Sequence, residues 1–261
     1  MKYCRFQAKA GPRYGEVVNR KGEFWIERLL PAFEEDQWAA PVSDDFQPMR
    51  MSVAKLLAPI VPRKIVCVGR NYREHAAELG NEVPKEPLLF LKAPSAVIGP
   101  EDEIRIPAQS QRVDFEGELA VVMGKKASQI SQDEDVRPYI RGYTIVNDVT
   151  ARDLQKTDGQ WSRAKGFDSF CPAGPLVTDE IDPWAGITVE TRLNGELKQR
   201  GTTRDFIFPI DALLRYITAA MTLLPGDVIP TGTPAGVGAM KAGDRVEVAI
   251  EGVGVLRNLV A

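Results

Sequence analysis

The stretch VDFEGELAVVMG, residues 113–124, constrains the fold more than any other. Three carboxylates, Asp114, Glu116 and Glu118, alternate there with Phe115, Gly117 and Leu119. Alternate side chains of a strand share a face, so the acids point one way and the other three residues point the other. Continued as one strand, Val121 packs with the Phe115 face, while Ala120 and Val122 follow the acids. The apolar run Leu119 to Met123 marks a mostly buried strand. Buried like charges require a compensating cation. Two readings stay open on this pattern alone: a solvated polar face, common for strand carboxylates, or a metal site.

The remaining text is strand-rich. KIVCVG (64–69) is a short apolar run that reads as a buried strand. PLLFLKAPSAVIG (87–99) reads as extended, and RGYTIVNDVTARD (141–153) as a further strand. TVETRLNGELKQRGTT (188–203) reads as a hairpin turning at Asn194-Gly195. DRVEVAIEGVGVLRNLV (244–260) closes the chain as a strand pair. Two segments read as helical. NYREHAAELG (71–80) suits a short helix stopped by Gly80. In FPIDALLRYITAAMTLLPGD (208–227), Ile210, Leu213, Leu214, Ile217 and Met221 recur at helical spacing before Pro225-Gly226. Residues 1–61 form a smaller unit: strand-like pieces, then the acidic, proline-punctuated segment 31–48, read as loop with one helical turn. The boundary falls near Pro62, leaving 62–261 as the larger unit.

Composition bounds the function. A net charge of -3 argues against a general nucleic-acid or anionic-membrane binder. The most apolar segment, 210–224, is interrupted by Asp211 and Arg215, so no membrane span is expected. The N-terminus lacks an apolar signal region, and Cys4, Cys67 and Cys171 are odd in number and far apart. Both features fit reduced thiols in a cytoplasmic protein. Three scattered cysteines and one histidine do not suit structural zinc.

Around the acids, further candidates gather. Asp148 ends an apolar stretch; it is either a turn cap or a third carboxylate for an oxygen-ligand site suited to Mg2+ or Mn2+. Arg152, Lys156, Arg163 and Lys165 follow. Lys165 stands apart because Ala164 and Gly166-Phe167 give it a small, apolar setting. PTGTPAGVG (230–238) offers backbone N–H groups to a carboxylate or phosphate, but lacks the Gly-Lys-Ser/Thr ending of an ATP-binding P-loop.

VDFEGELAVVMG, GYTIVNDVTARDLQ, WSRAKGFDSFCPAGP, LNGELKQRGTTRDFIF and LLPGDVIPTGTPAGVG, in this order and spacing, closely resemble the fumarylacetoacetate hydrolase family. The resemblance runs from about Lys64 to the C-terminus, roughly three-quarters of the chain. It implies a mainly β, α+β fold: the family's mixed β-roll over 62–261, preceded by a small N-terminal α/β domain over 1–61. It implies that Glu116, Glu118 and Asp148 hold Mg2+ or Mn2+, that Lys165 is the active-site lysine, and that Arg152, Gln155 and Thr233 lie near the substrate. It also implies that His75, the one histidine, pairs with Glu78 as the dyad of a lid segment, and that the enzyme is a homodimer. The chain departs from the family at LKAP, where Lys-Pro-Pro is common, and at Pro230, where leucine is usual and which sits in the loop holding Thr233.

A neutral imidazole is a suitable proton acceptor near pH 7, with a reference pKa of about 6.5, and a carboxylate can orient and stabilise it. The resemblance implies action on 2-oxo or enol dicarboxylates or 3-acylpyruvates, through C–C cleavage by way of a metal-bound enolate, as hydrolase or oxaloacetate decarboxylase. The alternatives are an isomerase of 2-hydroxy-diene dioates in aromatic catabolism and a catalytically silent family member. A sugar- or nucleotide-binding barrel is disfavoured by the few aromatic residues near the acids.

Overall fold

The computed structural model describes residues 1–43, 45–78 and 82–261. Strands dominate. The largest sheet starts with the N-terminal strands Lys2–Ala8, Gly11–Arg20 and Glu23–Leu30. Lys2 and Tyr3 pair with Thr178 and Val177, which carries that sheet into strand Cys171–Thr178. It continues through Ile140–Asn147, Gly117–Met123, Val228–Pro230 and Ile65–Gly69, and ends at Leu88–Lys92. The mainly β, α+β fold expected from the sequence is what forms. The described residues of 1–61 contribute strands and a single 3-10 turn, Met51–Val53.

Two smaller sheets complete the structure. One joins Thr150–Ala151, Val113–Phe115 and Gly238–Met240; the other runs from Glu196–Thr202 through Thr188–Leu193, Arg245–Ile250 and Gly254–Val260 to Glu103–Ile104. The hairpin at Asn194-Gly195 forms as read, with φ of 53° and 84° at the turn. Both angles are positive, as a type I′ turn requires.

VDFEGELAVVMG is not one strand. It breaks at Glu116: residues 113–115 pair in the three-stranded sheet and 117–123 in the large one. The break reverses the expected phase. Phe115 packs with Ala120 and Val122, while Leu119, Val121 and Met123 line the other core. Gly117 allows the break to sit tightly, since a Cβ there would lie 2.1 Å from Thr191 Oγ1 on the facing sheet.

The clearest helix spans Ile210–Ala220 and buries Ile210, Leu213, Leu214 and Ile217 as its periodicity predicts. It ends before Pro225 because Leu223 bonds Ala127 in both directions, at 2.8 and 2.9 Å, drawing the backbone into an extended bridge. The short helix Arg73–Glu78 forms as well; Gly80, its expected stop, lies outside the described residues. Segment 31–48 forms turns among the described residues rather than a helical turn. The three cysteines are free and buried. No helix among the described residues is long and apolar enough to cross a membrane.

Candidate active site

All nine residues singled out above line one cavity of about 510 Å3. His75 and Glu78 come from the short helix, Glu116 and Glu118 from the strand break, Asp148 from the end of Ile140–Asn147, Arg152 and Gln155 from helix Arg152–Thr157, Lys165 from helix Ser162–Gly166, and Thr233 from the loop after Val228–Pro230. The break matters to this convergence. Glu116 leaves the strand, its N–H donating to Asn147 Oδ1 at 2.8 Å and its carbonyl accepting from Asp148 N at 2.8 Å. Those two bonds tie the two acid-bearing segments side by side.

Glu116, Glu118 and Asp148 are buried and place carboxylate oxygens within 4.8 Å of one another. Cations surround two of them. Lys165 Nζ donates to Glu116 Oε2 at 2.8 Å and to Asp148 Oδ2 at 2.6 Å. Lys92 Nζ donates to Asp148 Oδ1 at 2.6 Å, and Arg152 donates from Nη2 to Glu116 Oε1. Among the described residues no cation bonds Glu118, whose donor is Gly232 N at 2.8 Å. The charges follow this asymmetry. Burial works against the Glu116 carboxylate, but Arg152, Lys165 and His75 outweigh it and hold its pKa below the usual range. Burial and the negative charges of Asp148 and Glu116 push Glu118 well above it. Lys165 stays charged: burial opposes the ammonium, and Asp148 and Glu116 more than offset that. A crowded oxygen trio with one carboxylate lacking a cation fits a hard divalent ion.

His75 is 4% exposed, and its Nδ1 lies 3.3 Å from Glu78 Oε2. Burial lowers the imidazole pKa; Glu116 and Glu78 work against that without reversing it. The ring is therefore neutral at pH 7, and among the described residues Nε2 has no hydrogen-bond partner. Glu78 is held in turn by Gly236 N at 3.0 and 3.2 Å.

Two expected substrate contacts have protein partners of their own. Arg152 donates from Nε to Asp114 Oδ2 at 2.9 Å, from Nη1 to Gln155 Oε1 at 2.9 Å, and from Nη2 to Glu116; each terminal nitrogen keeps a second N–H. Thr233 donates its hydroxyl proton to Gly117 O at 2.9 Å and accepts from Gln199 Nε2 at 2.7 Å. Pro230 lies in strand Val228–Pro230, ahead of this loop, and pairs with Ala120 inside the large sheet. Asp114 stands apart from the trio, clasped by Arg112 at 2.9 and 3.2 Å and by Arg152. Sequence reading missed Lys92, Gln199, Phe90 and Trp161. Lys92 carried a signal, a lysine ending the apolar run LLFL. Phe90 lies 4.8 Å under Lys165 Nζ, a cation–π contact.

Residues 64–261 match the family model described as Fumarylacetoacetate (FAA) hydrolase C-terminal. The oxaloacetate tautomerase YisK of Bacillus subtilis is 41% identical over 238 residues, covering 85% of this chain and 79% of that protein. The structure of the 2-hydroxyhepta-2,4-diene-1,7-dioate isomerase from Mycobacterium marinum aligns with a TM-score of 0.87 at 40% identity, over 100% of this chain and 98% of that one. Fumarylpyruvate hydrolase from Pseudomonas aeruginosa, solved in complex with Mn2+ and pyruvate, aligns with a TM-score of 0.72 at 33% identity, over 78% of this chain and 91% of that one.

Proposed function

The chain belongs to the fumarylacetoacetate hydrolase family, and on that premise we propose that it is a divalent-metal-dependent enzyme shifting a proton at the carbon beside the keto group of a small 2-oxo dicarboxylate. Oxaloacetate, interconverted between keto and enol forms, is the substrate this reading favours. The carrying observation is the juxtaposition, in one cavity, of a neutral buried base and a carboxylate trio. The family resemblance put C–C cleavage first, with isomerisation as the alternative. Proton transfer moves ahead of it because similar proteins carry the names oxaloacetate tautomerase and diene-dioate isomerase.

Glu116, Glu118 and Asp148 would hold Mg2+ or Mn2+. Bound there, the ion would draw charge from the keto oxygen and anchor the neighbouring carboxylate. The remaining work falls to side chains. His75 Nε2 takes the proton from carbon, and Glu78 stabilises the imidazolium. The electron pair moves to the keto oxygen, where the Lys165 ammonium supplies positive charge and a proton. Reversal of these transfers returns the keto form.

A second reading rests on the likeness to fumarylpyruvate hydrolase. There His75 would take its proton from water, the water oxygen would attack the acyl carbonyl of a 3-acylpyruvate, and the C–C bond would break towards an enolate beside Lys165. Decarboxylation of oxaloacetate would use the same electron sink without water. The working unit is a homodimer: strand Leu88–Lys92 ends the large sheet with Leu91 48% exposed, an apolar edge suited to a second copy.

The test is a panel run with and without Mg2+: loss of the oxaloacetate enol by ultraviolet absorbance, beside pyruvate release from oxaloacetate and from acylpyruvates. Fast, metal-dependent enol loss without pyruvate supports proton transfer. A higher kcat/KM for pyruvate release from an acylpyruvate moves the assignment to hydrolysis.

A further inference from the structure

Gln199 is fully buried in strand Glu196–Thr202, the outer strand of the five-stranded sheet. Its amide bonds in two directions. Oε1 accepts from Gly117 N at 3.0 Å, and Nε2 donates to Thr233 Oγ1 and to Pro234 O, both at 2.7 Å. Gly117 is the residue between Glu116 and Glu118. Its carbonyl is held as well, by the hydroxyl of Thr233 at 2.9 Å. One side chain thus joins the break that presents two glutamates to the loop whose Thr233 lines the cavity.

That loop reaches further. Gly232 N bonds Glu118, and Gly236 N bonds Glu78, the partner of His75. The loop also lies directly on the strand that carries Gln199: a Cβ on Gly236 would sit 1.9 Å from Lys198 O. A continuous run of contacts therefore leads from the glutamate pair through Gly117, Gln199 and the 232–236 loop to Glu78 and His75. A buried side-chain amide with both ends engaged leaves costly unpaired groups when it is lost.

We propose that Gln199 is a positioning residue that holds the two glutamates and the 232–236 loop in register, so that cation affinity and the seating of the His75–Glu78 pair are linked. The cation part of this rests on the metal reading above. Calorimetric titration of Gln199→Met with Mn2+, without substrate, is the first arm. Amide hydrogen exchange at Gly117 and Gly236 is the second. The Mn2+ dissociation constant is expected to rise about tenfold, the scale of a lost buried hydrogen bond. Both amides should exchange faster, and KM should rise more than kcat falls as Thr233 loosens. A folded variant with the parent's Mn2+ affinity and unchanged exchange at Gly236 overturns the proposal. If the parent itself binds no Mn2+, the metal reading fails and the exchange arm still decides the role of Gln199. Should Gln199→Met not fold, Gln199→Glu serves: it keeps the acceptor for Gly117 and loses both donors to the loop. Exchange should then quicken at Gly236 and stay slow at Gly117; unchanged protection at both overturns the proposal.

Discussion

Lys92 donates to Asp148 at 2.6 Å where neither side chain reaches solvent. Lys165 holds the other oxygen of the same carboxylate, also at 2.6 Å. Removing one cation from such a pair leaves a buried carboxylate with one counter-charge fewer. Lys92→Met keeps the length of the stem and removes the charge. It should cost about 3 kcal/mol, the low end for breaking a buried pair because Lys165 remains. For a chain of this size that is a fall in melting temperature of roughly 6–12 °C. Saturating Mn2+ should recover part of the fall by supplying positive charge beside Asp148. Calorimetry of both proteins in chelator and in Mn2+ checks this; a variant as stable as the parent in chelator would show that Lys92 is not a needed counter-ion.

Local chemistry explains which parts of this site were readable. Glu116 and Glu118 stood out because acids alternate into an apolar run, and Asp148 because it ends one. Asn194-Gly195 announced its hairpin because its turn needs two positive φ angles. The phase of Phe115 departs from the simple alternation because Glu116 leaves the strand to bond distant partners, Asn147 and Asp148, which no local period encodes. Gln199 gave no signal at all: in GELKQRGTT it is one polar residue among several, and its burial comes from the loop laid across it. The roles of His75 and Glu78 came from family resemblance; spacing alone allows a surface pair.

Glu118 should give opposite effects with and without the cation. Its raised pKa means the folded state binds a proton that the unfolded state has released. In chelator, stability contributed by this group should therefore fall as pH rises from the unfolded value of about 4.5 up to the raised folded one. Glu116 is shifted down, so its contribution is lost below about pH 4.5 as pH falls, in a separate window. Glu118→Gln should flatten the upper window and leave the metal-free protein as stable as the parent or more so. The same variant loses an anionic ligand, so Mn2+ affinity should drop by at least tenfold. Melting curves in chelator from pH 5 to 8, with Mn2+ titrations beside them, read both effects; tight Mn2+ binding by Glu118→Gln or Glu116→Gln would refute the ligand assignment.

The proposed homodimer would form through the edge strand Leu88–Lys92, where Leu91 is exposed. A chain of 28.8 kDa should sediment as a dimer at micromolar concentration. Leu91→Lys places a charge on that edge and should weaken the association if the edge is the contact. A monomeric parent would remove the dimer from the proposal, and a dimeric Leu91→Lys would move the contact elsewhere.

His75 separates the reactions the cavity allows. Burial lowers its pKa below the reference of 6.5, so the acid limb of a rate that needs the neutral ring should lie below pH 6.5. Protonation as pH falls through the lowered value removes the base, and activity above it is level until another group titrates. His75→Ala abolishes that limb while leaving Lys165 and the carboxylates in place. Loss of a general base costs roughly 10²–10⁴-fold. Proton transfer at carbon and hydrolysis by water both need it, so enol loss and acylpyruvate cleavage should fall by that amount. Decarboxylation of oxaloacetate needs only the electron sink and should fall less. The ratio of the rates on one variant, with Mn2+ occupancy measured alongside, therefore distinguishes a base from a residue that merely holds the helix. Equal, small losses in all three, with the acid limb intact, would leave His75 a structural residue and place the proton acceptor elsewhere in the cavity.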